Sequence, residues 1–115
     1  MAYDKCIFCE IAAGRIPSTV LYQDGEILAF EDIHPVAPVH FLVIPKVHIE
    51  TLDDVKNEHE QLLGRMMLVA AGIAREKGIG VTGYRQVVNC REAAGQIVFH
   101  LHLHVIGGRE MGTMG

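Results

Sequence analysis

The run His100-Leu101-His102-Leu103-His104, continuing into Val105-Ile106, is the strongest constraint on how this chain can fold. Strict alternation is the period of a β-strand, in which successive side chains point to opposite faces. The run predicts a strand from Val98 to Ile106. Three imidazoles would share one face, spaced about 6.6 Å apart, and Leu101, Leu103 and Val105 would occupy the other. Imidazole is not a favoured strand side chain, so a row of three points to chemistry. The bland alternative is a surface row of hydrophilic residues on a half-buried strand.

Imidazole chemistry leaves two readings open. One is a metal site, because strand-borne His-x-His pairs are common zinc ligands. The other is nucleophilic catalysis, in which one imidazole attacks and its neighbours orient it or bind the electrophile. A neutral imidazole attacks through one nitrogen and needs a hydrogen bond at the other to fix its tautomer. His102, with a neighbour on each side, suits that role best. Using all three as ligands of one ion is difficult. The outer two lie about 13 Å apart along a strand, whereas zinc takes nitrogens at about 2 Å.

The remaining pattern predicts one α+β domain spanning 1–115, with 1–5 and 110–115 as flexible ends. Cys6 to Ala13 reads as a short N-terminal helix ended by Gly14, and Pro17 bars its continuation. Val20-Leu21-Tyr22 and Ile27-Leu28-Ala29-Phe30 read as strands joined at Asp24-Gly25, a hairpin turn signal. His40 to Ile44 reads as a third strand stopped by Pro45, and Tyr84 to Asn89 as a fourth. Between them a long helix is expected from near Asn57, with Asn57 as cap and Glu60 completing a capping box. Leu62, Leu63, Met66, Met67, Val69, Ala70, Ile73 and Ala74 recur at helical spacing. Leu68 and Ala71 widen the apolar arc, which fits either two packing surfaces or a helix buried on most sides. Five short strands and one long helix predict a mainly antiparallel sheet.

Composition narrows the function classes. The chain has 10 Lys and Arg against 14 Asp and Glu, a formal net charge of −4. No basic run appears, which argues against extended contact with a nucleic-acid backbone but leaves room for a single nucleotide. No apolar stretch of membrane-spanning length occurs, and the first residues lack a secretory pattern. Three cysteines, two in a Cys-x-x-Cys unit, do not make a disulfide framework. A cytoplasmic location is expected.

The histidine run resembles the His-φ-His-φ-His-φ-φ signature of the histidine triad family of nucleotide hydrolases and transferases. The resemblance extends to Cys6-Ile7-Phe8-Cys9, Ile16-Pro17, Ala29-Phe30-Glu31-Asp32-Ile33, Ala37 through Lys46, and Gly95-Gln96. The ending Gly107-Gly108-Arg109 resembles the Hint branch, the purine-nucleoside phosphoramidases. The resemblance implies His102 as a nucleophile that forms a nucleotidyl-histidine and His104 as a phosphate contact. It implies His40 and His100 as a supporting pair. Asp32 would take the ribose hydroxyls, Phe30 and Ile33 would wall a purine pocket, and Asn89 would sit near phosphate and ribose. Gly95 and Ile97 would offer backbone N–H groups to phosphate oxygens. A homodimer and a purine nucleotide or phosphoramidate ligand are implied too, with no organic cofactor.

Ile97 departs from the pattern, standing where the Hint branch usually has Ser. Losing that hydroxyl would remove one transition-state hydrogen bond, on the order of 10²-fold in rate. Weakened phosphoramidase activity or a shifted leaving-group preference is therefore expected.

Cys6-x-x-Cys9 is half of a tetrahedral zinc site, which His48 and His100 would complete. Family members that keep both cysteines bind zinc this way, and such a closed site would be structural. A redox pair or merely buried thiols are the rival readings. Three function classes stand at this point: a covalent nucleotide hydrolase, a non-catalytic nucleotide sensor or interaction module, and a metal-dependent hydrolase using His100, His102 and His104.

Overall fold

The structure is a computed structural model and describes residues 6–115. The short helix α1 (Ile7–Ala12) is followed by strands β1 (Val20–Gln23), β2 (Ile27–Glu31) and β3 (Val39–Pro45). The long helix α2 (Glu60–Glu76), β4 (Tyr84–Val87) and β5 (Leu103–Gly107) complete it. All strand pairs are antiparallel, in the order β1-β2-β3-β5-β4. This is the expected α+β arrangement of five strands, one long helix and a short N-terminal helix. The residues before Cys6 lie outside the described range. Residues 110–115 carry no regular secondary structure, although Arg85 donates to the Gly112 carbonyl at 2.9 Å.

Side-chain alternation divides the sheet into two faces. Ile27, Ala29, Phe41, Val43, Leu103 and Val105 pack against Met66, Ala70 and Ile73 of α2. Leu28, Phe30, Leu42 and Ile44 point the other way and meet Phe8 of α1. Burying each such aliphatic or aromatic side chain contributes about 1.5–3 kcal/mol. A 17-residue helix covers one face, but a 6-residue helix covers only part of the other. The functional side chains occupy the part that α1 leaves open.

At the β1–β2 hairpin, Asp24 Oδ1 accepts the N–H groups of Glu26 at 2.8 Å and Ile27 at 2.9 Å. Asp24 and Glu26 also form ion pairs with Arg65 of α2, which fasten the hairpin to the long helix.

Three elements differ from the sequence reading. β5 begins at Leu103, so His100 and His102 lie on a bent segment ahead of the strand. Ladder pairing with β3 stops at Val43 and Leu103. Beyond that point Leu101 N–H goes to Ile49 O at 2.6 Å, and local side-chain bonds from His100 and His102 replace the ladder. The long helix begins at Glu60 after a 3-10 turn over Asn57–His59. The expected Asn57 capping box does not form; His59 Nδ1 instead accepts the Lys56 N–H at 3.0 Å. β4 ends at Val87, two residues early. On α2 the broad apolar arc splits, with Met66, Ala70, Ile73 and Ala74 buried but Met67 and Leu68 exposed.

Candidate active site

The three alternating histidines diverge to different partners. His102 Nδ1 lies 2.7 Å from the His100 carbonyl. A carbonyl only accepts, so Nδ1 carries the proton and Nε2 keeps its lone pair. His102 also lines an open cleft of about 500 Å³, a size suited to a small-molecule ligand. Phe8 meets the His102 ring edge-on, with centroids 5.0 Å apart. Burial holds His102 below its ordinary titration range. It is therefore neutral near pH 7, with one tautomer fixed, which is what a nucleophilic imidazole needs.

His104 belongs to a second group. His40 Nδ1 accepts the Val36 N–H at 3.1 Å, so its proton sits on Nε2. That Nε2–H lies 3.0 Å from His104 Nδ1 and 3.2 Å from Asp32 Oδ2. With its Nδ1 acting as acceptor, His104 carries its own proton on Nε2, and His104 too lines the cleft. Burial first, then neighbouring histidines, pulls the His104 titration down to about 4. The cleft thus has a bare nitrogen on His102 and a donor on His104, with the two rings 4.9 Å apart.

His100 turns away from both. Its Nε2 lies 2.7 Å from the Pro45 carbonyl, which places the proton there and leaves Nδ1 bare. Nδ1 lies 3.4 Å from Cys6 Sγ and 3.5 Å from Cys9 Sγ, and Cys9 Sγ lies 3.2 Å from His48 Nδ1. The pairing of His100 with His40 expected from the resemblance does not form: His40 pairs with His104, and His100 with the cysteines. The reason is positional. His40 is at the far end of β3, opposite Ile106 of β5, whereas His100 lies beyond the near end, at Pro45.

Cys6, Cys9, His48 and His100 have ligand atoms within 4.8 Å of one another and can hold a metal ion. Tetrahedral zinc, with Zn–S about 2.3 Å and Zn–N about 2.0 Å, sets S and N ligand atoms roughly 3.5 Å apart. The observed separations match that spacing. Burial, followed by the contact with Cys6, pushes the Cys9 thiol up to about 11, so a cation is what would favour its thiolate. His100, His102 and His104 do not share one ligand group, which removes the geometric basis for a metal-dependent hydrolase built on all three.

Phe30, Asp32, Ile33, His40, Gly95, Ile97, His102 and His104 all line the cleft. Asn89 lies in the half-buried segment after β4 and is not among the lining residues. Gly95 needs correction as an amide donor. It adopts φ +97° in a 3-10 turn and gives its N–H to Glu92 O at 2.9 Å. The Ile97 N–H has no hydrogen-bond partner among the described residues. Gln96, buried, anchors this loop by donating to Glu50 O and Val98 O and accepting from Arg91 N–H.

Sequence reasoning gave no role to Phe8, Ile7, Ile11 or Val36, all of which line the cleft. His34 also lines the cleft, and its N–H is held by Asp32 Oδ1 at 2.8 Å. The only sequence signal for α1 as a cleft wall is the Cys-x-x-Cys unit, which ties the helix to His100 beside the site.

Residues 5–115 match a family model described as scavenger mRNA decapping enzyme C-term binding. The chain is 49% identical over 111 residues to a purine nucleoside phosphoramidase of Escherichia coli (strain K12), spanning 96% of this chain and 93% of that protein. It is 48% identical to Protein HitA of Neisseria gonorrhoeae, spanning 90% and 96%. A HIT family hydrolase from Legionella pneumophila Philadelphia 1 superposes with TM-score 0.92 at 47% identity, covering 94% of this chain and 96% of that one. A Zn-bound histidine triad family protein from Mycobacterium smegmatis superposes with TM-score 0.79 at 35% identity, covering 97% and 81%. The chain belongs to the histidine triad family and is an enzyme, a hydrolase of that type.

Proposed function

We propose that this chain hydrolyses the P–N bond, or a mixed-anhydride bond, of purine nucleoside 5′-phosphoramidates through a nucleotidyl intermediate on His102. The observation that carries the reading is the His102 tautomer, locked by the His100 carbonyl with Nε2 bare at a nucleotide-sized cleft. The name of the Escherichia coli relative supports the substrate class. Nε2 attacks the α-phosphorus, the P–N bond breaks, and the amine leaves with a proton from solvent. The nascent imidazolium is stabilised by its Nδ1–H bond to the His100 carbonyl. Water then attacks phosphorus, the Nε2–P bond breaks, the nucleoside monophosphate departs, and the water's surplus proton returns to solvent. His104 Nε2–H and the Ile97 N–H serve a phosphate oxygen. Asp32 accepts from the ribose hydroxyls, and Phe30 and Ile33 flank the purine. Asn89 would have to be brought in from outside the cleft lining.

A zinc ion at Cys6, Cys9, His48 and His100 is part of this reading. It would hold α1 against the chain ahead of β5 and supply no chemistry to the reaction. A homodimer also belongs to it: Met67 and Leu68 lie exposed on α2, and Gln86 of the edge strand β4 donates to the Met67 carbonyl. Sedimentation of a monomer at micromolar concentration would remove that part. No helix among the described residues is long and apolar enough to cross a membrane, in keeping with a cytoplasmic location.

The test is a mass measurement after acid quenching of enzyme with an adenosine phosphoramidate. A nucleotidyl adduct on the native protein, absent in His102→Ala, is expected. Turnover without an adduct would overturn the covalent step. Neither turnover nor adduct would favour the non-catalytic sensor.

A further inference from the structure

Arg109 does not line the cleft, yet an unbroken run of hydrogen bonds leads from it to the reacting face. Its Nη2 and Nε lie 3.1 and 3.4 Å from the Val36 carbonyl, to which both donate. The N–H of the same residue, Val36, donates to His40 Nδ1 at 3.1 Å. That bond, together with the Asp32 carboxylate 3.2 Å from Nε2, holds the His40 proton on Nε2, where it reaches His104 Nδ1 at 3.0 Å. His104 in turn keeps its own proton on the nitrogen left for the cleft.

The segment carrying Val36 is closed by the Asp32 N–H to the His40 carbonyl at 3.1 Å and by the His34 N–H to Asp32 Oδ1 at 2.8 Å, but neither bond reaches Val36 itself. Ile33 is 80% exposed and Val36 is 60% exposed, so side-chain packing does not fix the loop. Pro35 and Pro38 bring no N–H to it. The backbone after β5 is shaped to deliver the arginine there. A Cβ on Gly107 would lie 2.8 Å from Ile79 Cδ1 and 3.2 Å from Tyr84 Cβ. A Cβ on Gly108, at φ +90°, would lie 3.0 Å from Pro38 Cβ. Gly107 lets the end of β5 lie close on Ile79 and Tyr84, and Gly108 lets the chain pass close over Pro38, which brings the next side chain, Arg109, to the Val36 carbonyl.

We propose that Arg109 is a positioning residue: by gripping the Val36 carbonyl it holds the Val36 N–H on His40, and so fixes the tautomers of His40 and His104. Without that grip the loop shifts, His40 Nδ1 can take the proton, and His104 Nδ1 loses its donor. The inference rests on the reading of His102 and His104 as the reacting pair, but its first readout does not need turnover.

The experiment compares the native chain with Arg109→Ala and Arg109→Lys, using ¹⁵N-labelled histidine and long-range ¹H–¹⁵N correlation. The native protein should show His40 as a single Nε2–H tautomer, and Arg109→Ala a mixture. With adenosine phosphoramidate as probe, Arg109→Ala should lower kcat about tenfold at a KM within about twofold, a misplacement effect. Arg109→Lys, which keeps a cationic donor, should recover most of both. An unchanged His40 tautomer in Arg109→Ala overturns the proposal whatever the rate does. A rise in KM at constant kcat also overturns it, since that would make Arg109 a direct substrate contact. If the native protein turns over no phosphoramidate, the proposed function fails while the tautomer measurement still decides the role of Arg109.

Discussion

Two side-chain groups in this molecule satisfy the same distance criterion for holding a metal: Cys6, Cys9, His48 and His100, and the trio Asp32, His40 and His104. Distance does not separate them, because nitrogens 3.0 Å apart suit an ion nearly as well as a shared proton. Proton placement does. His100 gives its one proton to Pro45 O and turns a bare nitrogen to the two thiols. His40 accepts from the Val36 N–H and must carry a proton on the nitrogen facing His104 and Asp32. An ion there would require an imidazolate or a broken backbone bond. The first group leaves its donor atoms able to hold a cation, and the second is arranged as a hydrogen-bond relay. His102 lies between them, joined to one through the His100 carbonyl and to the other by ring contact with His104.

The sharpest test of that division removes the bare nitrogen that belongs to neither group. His102→Ala should lower kcat by about 10⁴-fold or more, as loss of a nucleophile does, with metal content per chain unchanged. Loss of metal in that variant would show that the two groups are not separate.

A smaller effect is expected at Ile97, which borders both the cleft and an adjoining hollow lined by Cys6, His48 and Glu50. Ile97→Ser should raise kcat/KM for amine leaving groups by up to about 10²-fold, the worth of one added transition-state donor. Equal kcat/KM for both forms across a series of amines would assign Ile97 to the metal side rather than the reacting side.

Cys9→Ser should leave activity within about tenfold while emptying the protein of metal by elemental analysis and lowering Tm by about 10 °C. If that variant keeps a full equivalent of metal, the ion is held at Asp32, His40 and His104, and the comparison breaks.

The mildest change comes with pH. Burial lowers the titration of His102 and brings His104 to about 4, against an ordinary 6.5. Both stay neutral in the fold, so kcat/KM should be flat from pH 8 to 6 and fall only below that. The neutral imidazoles stabilise the fold fully above the unfolded value near 6.5, and that contribution is lost as pH falls toward 4. Tm should decline over the same window. An activity midpoint near 6.5 would mean that the reacting pair is solvated like free histidine.

Much of the architecture was legible in the sequence because it rests on local rules. Short apolar runs gave the first strands, period-two alternation gave the last, and Asp24-Gly25 gave the hairpin. The i, i+3, i+4 apolar spacing gave α2, although a 3-10 turn closed by His59 Nδ1 and the Lys56 N–H precedes it in place of the Asn57 cap. The eight cleft residues from Phe30 to His104 were recoverable only because several motifs occurred together at fixed spacing. Phe8 and Val36 were not recoverable, since each acts on the site through tertiary contact. Gly95 was misread because a turn hydrogen bond, invisible in the residue type, uses its N–H.

The sequence by itself determined that Leu103 and Val105 pack toward the long helix while His102 and His104 fall to the opposite, cleft side, because alternation is a property of the extended backbone; it did not show that His100 leaves that row. It could not determine which nitrogen of each imidazole is free. That is set by backbone groups brought in by the fold: Pro45 O, 55 residues from His100, and the Val36 N–H, whose effect reaches His104 across the 64 residues that separate it from His40. An imidazole's chemistry follows its proton, and here the proton's position follows from which carbonyl or amide the folded chain puts beside it.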